Sequence, residues 1–285
     1  MPVVTTLVVP HIPPMPKSFK LVLDILIGAV APWAILKYGT APLGTLPAYL
    51  LAALVPVVYV LLDLLVITRR FNFITSYAGF SAIMRGALAF WYVDGALFAF
   101  KDSASYLLAT LVFGGSYFLA KPVTRFIAMQ GLTPETPAQE ESLDHMLSEA
   151  PVVRALRQST LIIAAVNLLC GALNYAINLR MVVAPFGTPA FNDQVANVNA
   201  ITRIALVIPD MLALFWAFSL MYKAMFTLLP PAPPGGKHDD FWDLLRQREE
   251  SLSAGRRAAA DQLAADGLAV ETHANRQARK EFGLS

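Results

Sequence analysis

Polar side chains recur at helical spacing within one apolar stretch of the sequence, about Leu156–Asn178. Their intervals of three and four residues place them on one face of a helix. Such a face either hydrogen-bonds between packed helices or forms one wall of a hydrated cavity that binds a ligand. The sequence leaves both interpretations open. We call this set the amide stripe: Thr160, Ala164, Asn167, Gly171, Asn174 and Asn178.

Two ionisable residues, Arg85 and Asp210, lie deep in other apolar stretches, and Pro209 precedes the aspartate. An ionisable group inside a bilayer costs about 2.5–3.5 kcal/mol on insertion scales, so each needs a partner or water. Counting helical rise from the predicted outer surface puts the two at similar depths. We therefore predict a direct or water-bridged contact between them, either as a structural ion pair or within a substrate or proton site.

A second charged cluster is predicted near the cytoplasmic surface. Asp24 and Asp63 both lie about 6–8 Å below that surface by helical rise. Lys20 precedes Asp24 by four residues, and Arg69 and Arg70 follow Asp63. Pairing between these acids and bases that reach the interface explains the cluster.

Patterns typical of enzymes are scarce in this sequence. All four histidines lie outside the apolar stretches, so none is placed there as a base or metal ligand. The residues at 239–243 read D-D-x-x-D, a magnesium-binding pattern, but they follow a proline-rich segment, and we interpret them as a helix N-terminus. We predict no catalytic residue, no metal site and no cofactor, and hence no enzyme.

Composition sets the fold class. Of 285 residues, 56% are hydrophobic and 15% are charged, against roughly 25% charged in soluble domains. This excludes a soluble enzyme domain, a collagen and a disulfide-stapled module, and the net charge of +2 gives no reason to expect nucleic acid as a partner. We predict an all-α, polytopic bundle of six transmembrane helices in the lipid bilayer. The spans are at about 19–37, 46–67, 73–93, 104–120, 156–178 and 201–228.

Between the spans, residues 94–103, 133–149 and 180–199 are predicted to be loops. The chain divides into an N-terminal arm (1–18), the six-helix domain (19–229), a Pro/Gly linker (230–236) and a tail (237–285) that is partly helical or disordered. We expect deletion of the hydrophilic tail to leave membrane insertion intact.

Orientation follows from the basic residues. With the N-terminus inside, nine Lys or Arg lie on the inner side. Four lie on the outer side: Lys37, Lys101, Arg180 and Arg203. The positive-inside rule then places both termini in the cytoplasm.

Two short segments carry a resemblance to a known family. Asp24 is followed by seven residues and Pro32, and Lys121-Pro122 is followed after one residue by Thr124. These segments, with the order of spans and Arg69-Arg70, resemble a poorly characterised family of six-span bacterial inner-membrane proteins, distantly similar to intracellular septation protein A. The resemblance covers roughly residues 19–228. It implies an inner-membrane location and a role in envelope or division processes or in permeation.

Two functions remain as hypotheses. In the first, spans three, five and six bind or transport a small solute or a proton through a polar interior that includes Arg85, Asn167, Asn174, Asn178 and Asp210. In the second, the chain is a non-transporting scaffold whose tail contacts envelope or division proteins. The first predicts that these side chains meet water, and the second predicts that they are packed and dry.

Overall fold

The computed structural model describes residues 17–68, 73–231 and 240–255, together with residue 262, and every regular element in these ranges is a helix. The predicted all-α class is therefore confirmed. The helices are α1 (Lys17–Ile25), α2 (Ala31–Ala34), α3 (Thr40–Leu43), α4 (Thr45–Leu62), α5 (Phe73–Ala89), α6 (Gly95–Ser116), α7 (Val123–Leu132), α8 (Pro137–Met146), α9 (Ala150–Met181) and α10 (Pro189–Phe226). Residues 241–255 form a further helix, which we call the tail helix.

Five helical stretches among the described residues are long and apolar enough to cross a membrane. A span needs roughly 20 apolar residues, and these stretches have between 21 and 38. This is compatible with an integral, multi-pass membrane protein. The predicted third span coincides with α5, which has 17 residues. The stretches are Val22–Leu43, Thr45–Leu65, Gly95–Ser116, Ala150–Met181 and Pro189–Phe226.

The first span is a helix with two wider turns. π-helical segments at Leu26–Val30 and Ile35–Gly39 flank the short helix α2, which contains Pro32. A proline ring clashes with the carbonyl four residues earlier and offers no N–H, so the adjoining backbone changes its hydrogen bonding. The span ends at Gly44, whose φ of +87° is strained for any residue with a Cβ. The chain reverses there into α4.

Helices begin earlier than predicted at three places, so the predicted loops are too long. α6 starts at Gly95, which places Lys101 and Asp102 nearly two turns inside a helix rather than in a loop. α10 starts at Pro189, where the Thr188 hydroxyl oxygen accepts from the backbone N–H of Phe191 at 3.2 Å as an N-cap. α9 starts at Ala150, and the segment before it holds α8, which begins with a capping box.

The described residues form two compact units. The first comprises those of Met1–Gln130 and Leu156–Leu220, and the second those of Gly131–Ala155 and Met221–Ser285. An aromatic cluster lies in the core of the first unit, where the Phe191 ring lies 5.0 Å from Phe98 and 6.0 Å from Tyr49 between ring centres. These contacts hold α4, α6 and α10 together. A second core group of the first unit contains Phe113, Val123, Ile163, Ala164 and Ala217.

The second unit combines α8 with the tail helix. The Arg248 guanidinium is buried and donates to Glu149 at 2.7 Å and to Glu249 at 2.7 Å. Leu244 and Leu245 of the tail helix are buried as well. Within the predicted tail, residues 241–255 are thus helical.

Several predictions fall outside the described residues. These are the arm up to residue 16, the pair Arg69 and Arg70, most of the linker (232–236) and the segment after Gly255, apart from residue 262.

Candidate functional site

The amide stripe of α9 meets a carboxylate on α6. The Asn174 and Asn178 amide groups both donate to Asp102 Oδ2, at 3.0 and 2.9 Å. Asn174 also donates to Ser103 Oγ at 3.0 Å. The two asparagines are four residues apart, and a helix places such residues one above the other on one face. The helical period of α9 therefore supplies two amide donors to one oxygen of α6.

This cluster is packed inside the first unit. Asn174 is 3% exposed and Asn178 is 1% exposed. The Asn178 amide nitrogen also donates to the carbonyl of Asn174 at 2.9 Å, which fixes the orientation of the amide plane. Asn178 Oδ1 is buried and has no hydrogen-bond partner among the described residues. A buried acceptor without a donor is uncommon in folded proteins.

Other members of the stripe hold α9 against α6 and α7. The hydroxyls of Thr160 and Thr124 lie 2.8 Å apart, and both bond the carbonyl of Leu156. At Gly171, an added Cβ would lie 3.0 Å from the Tyr106 Cβ, closer than most real contacts. The stripe is therefore an interface for close helix packing as well as a source of buried polar groups.

Asn167 has a different environment from the other two asparagines. Its amide donates within α9 to the carbonyl of Ile163 at 2.9 Å. It lines a cavity of about 180 Å³ between α6 and α9, together with Ser103, Thr110, Tyr175 and apolar side chains of both helices. Ser103 belongs both to this cavity and to the cluster around Asp102. The two features are neighbours, but Asn167 makes no hydrogen bond to the cluster.

Lys101 is a buried cation that our reading of the sequence missed. Only 6% of the residue is exposed. Its ammonium donates to the carbonyl of Trp91 at 2.6 Å and lies 5.2 Å from the centre of the Tyr49 ring and 5.5 Å from that of Phe98. A carbonyl and two ring faces offset the cost of desolvating the charge. The aromatic residues at 98 and 100 around Lys101 were the available signal of a helix here.

The direct contact predicted between Arg85 and Asp210 is not formed. Asp210 instead accepts a weak hydrogen bond from the Cys170 thiol at 3.5 Å. Arg85 is exposed on the isolated chain and makes no hydrogen bond or ion pair with a described residue. The depths were similar, but depth alone does not say which way a side chain points around its helix.

Arg203 is the second residue that we missed, because it was assigned to the outer surface. It lies within α10, and its guanidinium donates to the backbone carbonyl of Gly28 in the first span. It interacts electrostatically with Arg85 and with Asp102. Two arginines and an aspartate from three different helices of the first unit thus interact, and both arginines are exposed on the isolated chain.

The cluster predicted around Asp24 and Asp63 joins the first span to α4. Lys20 Nζ lies 2.9 Å from Asp63 Oδ2, and the Tyr59 hydroxyl donates to Asp24 Oδ1 at 2.5 Å. Lys20 therefore pairs with the distant acid rather than with Asp24, four residues along its own helix. The two acids lie close enough that both interact with Tyr59.

Comparisons of this chain with protein-family models, with curated proteins and with solved structures give no match.

Proposed function

We propose that this chain is an inner-membrane protein of bacteria that binds or moves a small solute or a proton through a polar interior. In this proposal, α5, α9 and α10 form the polar interior that the sequence predicted, and α6 joins them because it contains Asp102. The observation that carries the proposal is the carboxylate of Asp102 within apolar helices, whose hydrogen bonds with described residues come from the neutral Asn174 and Asn178. Ionisable groups in such positions mark ion pathways and proton relays.

The proposal includes six spans with both termini in the cytoplasm. The 17 residues of α5 cover about 25 Å, close to the hydrocarbon thickness, which supports α5 as the third span. Nine basic residues on the inner side against four on the outer side support termini in the cytoplasm.

Thiol labelling tests whether the interior is hydrated. In a Cys170→Ser background, single cysteines replace Asn167, Asn174 or, as a control, Leu169, whose side chain is 54% exposed on another face of α9. The reagent is a charged methanethiosulfonate, which needs water to reach a thiol. We expect labelling at Asn167 and Asn174 to be faster than at Leu169, which faces lipid. Equal, slow labelling at all three positions would refute a hydrated interior.

A scaffold is the second candidate, and the structure of the second unit favours it. The ion pairs of Arg248 with Glu149 and Glu249 hold the tail helix in a defined place rather than leaving it free. A fixed, charged surface of this kind suits contact with other proteins. The resemblance to the septation protein A group supports the same candidate. Neither candidate includes an enzymatic activity or a cofactor.

Two variants separate the candidates in cells that lack the wild-type chain. The first ends at residue 231, and the second carries Asp102→Asn. If the chain is a scaffold, the truncation impairs envelope growth or division while Asp102→Asn has no effect. If the chain is a transporter, Asp102→Asn alone reproduces the phenotype of the deletion. Protein levels in the membrane are measured for both variants.

A further inference from the structure

Arg85 and Arg203 are two cations inside apolar helices, and neither forms an ion pair with a described carboxylate. The Arg203 guanidinium donates to a backbone carbonyl, that of Gly28. Arg85 has no hydrogen bond or ion pair with any described residue. A guanidinium carries five N–H donors, so most of the donors of both side chains are available to a ligand.

Contacts between helices place the two arginines at similar depth. Tyr59 bonds Asp24, and Lys20 pairs with Asp63. These two pairs show that the first span and α4 run antiparallel. Continuing the same register places Gly28 opposite residue 55 of α4. α5 packs on α4 with Gly86 against Val57 and Gly79 against Leu64.

The register between α4 and α5 places residue 55 of α4 opposite residue 88 of α5. Arg203 bonds Gly28 and therefore lies at that level. Arg85 is three residues away, about 4.5 Å along the helix axis. A long side chain covers this difference, and the two arginines interact electrostatically.

Asp102 and Asp210 form no ion pair with either arginine. Asp102 interacts electrostatically with Arg203 but is held by Asn174 and Asn178. Asp210 lies seven residues further along α10, about 10 Å by helical rise, and accepts from Cys170. Buried Lys101 lies next to Asp102 in α6 and adds a further positive charge.

We propose that Arg85 and Arg203 together bind an oxyanion, a carboxylate or phosphate group. The planar guanidinium fork matches the paired oxygens of both groups, and a charge-assisted bond is stronger than a neutral one. The inference rests on the proposed function and names its substrate class. The same oxyanion chemistry occurs on a small free solute and on a lipid headgroup, and the experiment separates these two sources.

The first arm uses purified full-length protein in detergent and measures thermal unfolding. The probes are inorganic phosphate, sulfate and succinate, with chloride at equal ionic strength as the reference. We expect at least one probe to raise Tm. Arg85→Gln and Arg203→Gln each weaken the apparent affinity by about tenfold or more. Arg180→Gln removes the same charge from an exposed position at the end of α9 and leaves the affinity unchanged.

A second measurement needs no variant. Phenylglyoxal modifies accessible guanidinium groups, and mass spectrometry reports the modification of each arginine. The anion that raises Tm is expected to protect Arg85 and Arg203 in the wild-type protein, but not Arg180. This readout stands even where a glutamine variant fails to fold.

The lipid arm uses native mass spectrometry after incubation with phosphatidylglycerol or with phosphatidylcholine. One outcome identifies a lipid headgroup as the oxyanion. In it, the wild-type protein retains phosphatidylglycerol, both glutamine variants lose it, and the small probes have no effect. If no probe shifts Tm or protects the arginines and no lipid is retained selectively, the inference is wrong. Water-accessible Asn167 and Asn174 in that case leave the proposed function standing, whereas slow labelling there refutes the proposed function itself.

Discussion

At the scale of single residues, the polar interior depends on neutral groups that hold charged ones. The Lys101 ammonium donates a hydrogen bond to a backbone carbonyl and faces two aromatic rings. The Asp102 carboxylate accepts hydrogen bonds from two asparagine amides. Consecutive residues on a helix point in different directions, so Lys101 and Asp102 each take partners on their own side. Among the described residues, the charge of Asp102 is therefore held by amides rather than by a direct ion pair.

Asn178 is the residue where this arrangement is most sensitive. We expect Asn178→Ala to lower the free energy of unfolding by about 1–3 kcal/mol, because a partly buried carboxylate oxygen loses a donor. Asn197→Ala is the matched control, since Asn197 is exposed and bonds only Asp193, at 3.3 Å. We expect Asn197→Ala to change the free energy of unfolding by no more than about 0.5 kcal/mol. Thermal or denaturant unfolding in detergent measures both. Equal effects at the two sites would mean that the buried amide adds nothing.

Asp102 itself is expected to carry the activity. Proteoliposomes containing a pH-sensitive dye report proton entry when a potassium diffusion potential is applied. Asp102→Asn keeps the shape of the side chain and removes its charge, so we expect the proton flux to be lost while the protein stays folded. Asp243→Asn in the tail helix, where the side chain is exposed, leaves the flux unchanged. A variant Asp102→Asn that conducts as well as the wild type would remove Asp102 from the pathway.

At the scale of helices, α6 and α9 approach each other where α9 has no side chain. Tyr106 of α6 lies over Gly171, so an added methyl group meets its Cβ. Close approach of this kind brings Asn174 and Asn178 within hydrogen-bond distance of Asp102. The residues of the amide stripe therefore act together. Gly171 allows the close spacing of α6 and α9, and the amides of Asn174 and Asn178 form hydrogen bonds across that spacing.

Gly171→Ala tests this spacing. We expect it to destabilise the protein by about 1–3 kcal/mol, because the helices must move apart or the tyrosine must shift. Gly115→Ala is the control within α6, since nothing lies within 4 Å of an added Cβ there. That change removes a glycine from a helix and is expected to be neutral or slightly stabilising. If Gly171→Ala is also neutral in unfolding experiments, the contact at Tyr106 does not set the spacing.

At the scale of the whole molecule, two compact units have different compositions. The first consists mostly of apolar helices, whereas the second combines the acidic segment around α8 with the tail helix. From the sequence, we expect membrane insertion to proceed without the tail. Insertion depends on the apolar helices, most of which belong to the first unit. The structure adds that the tail helix is part of the second unit, where Leu244, Leu245 and Arg248 are buried.

Truncation separates these two statements. A variant that ends at residue 231 is expected to reach the membrane at the wild-type level. An endoproteinase specific for glutamate is expected to cleave it within 131–155 roughly tenfold faster, because the local unfolding free energy falls. A variant that ends at residue 255 keeps the tail helix and is cleaved at the wild-type rate. Loss of the shorter variant from the membrane would show that the tail supports the spans.

Orientation is a property of the whole molecule as well. Reporters fused after residues 149 and 285 are expected to be cytoplasmic, and one fused after residue 187 is expected to be external. Green fluorescent protein reports the inside and alkaline phosphatase the outside. External phosphatase activity from the C-terminal fusion would reverse the proposed topology.

The sequence by itself determined the helical class, the approximate positions of the long apolar helices and the amide stripe. These depend on composition and on the 3.6-residue period, which are properties of neighbouring residues. Helix ends were less well predicted, as at Gly95 and Pro189, because the charged residues at 101 and 102 and the polar residues at 192–194 look like loop until their partners are known.

Only the tertiary structure decided which groups face each other. Asp102 lies opposite Asn174 and Asn178, Asp210 bonds Cys170 rather than Arg85, and Arg203 reaches the backbone of the first span. Each pairing depends on the register between two helices and on the rotation of each about its axis. Local sequence contains neither quantity, because both are set by the packing of many side chains at once.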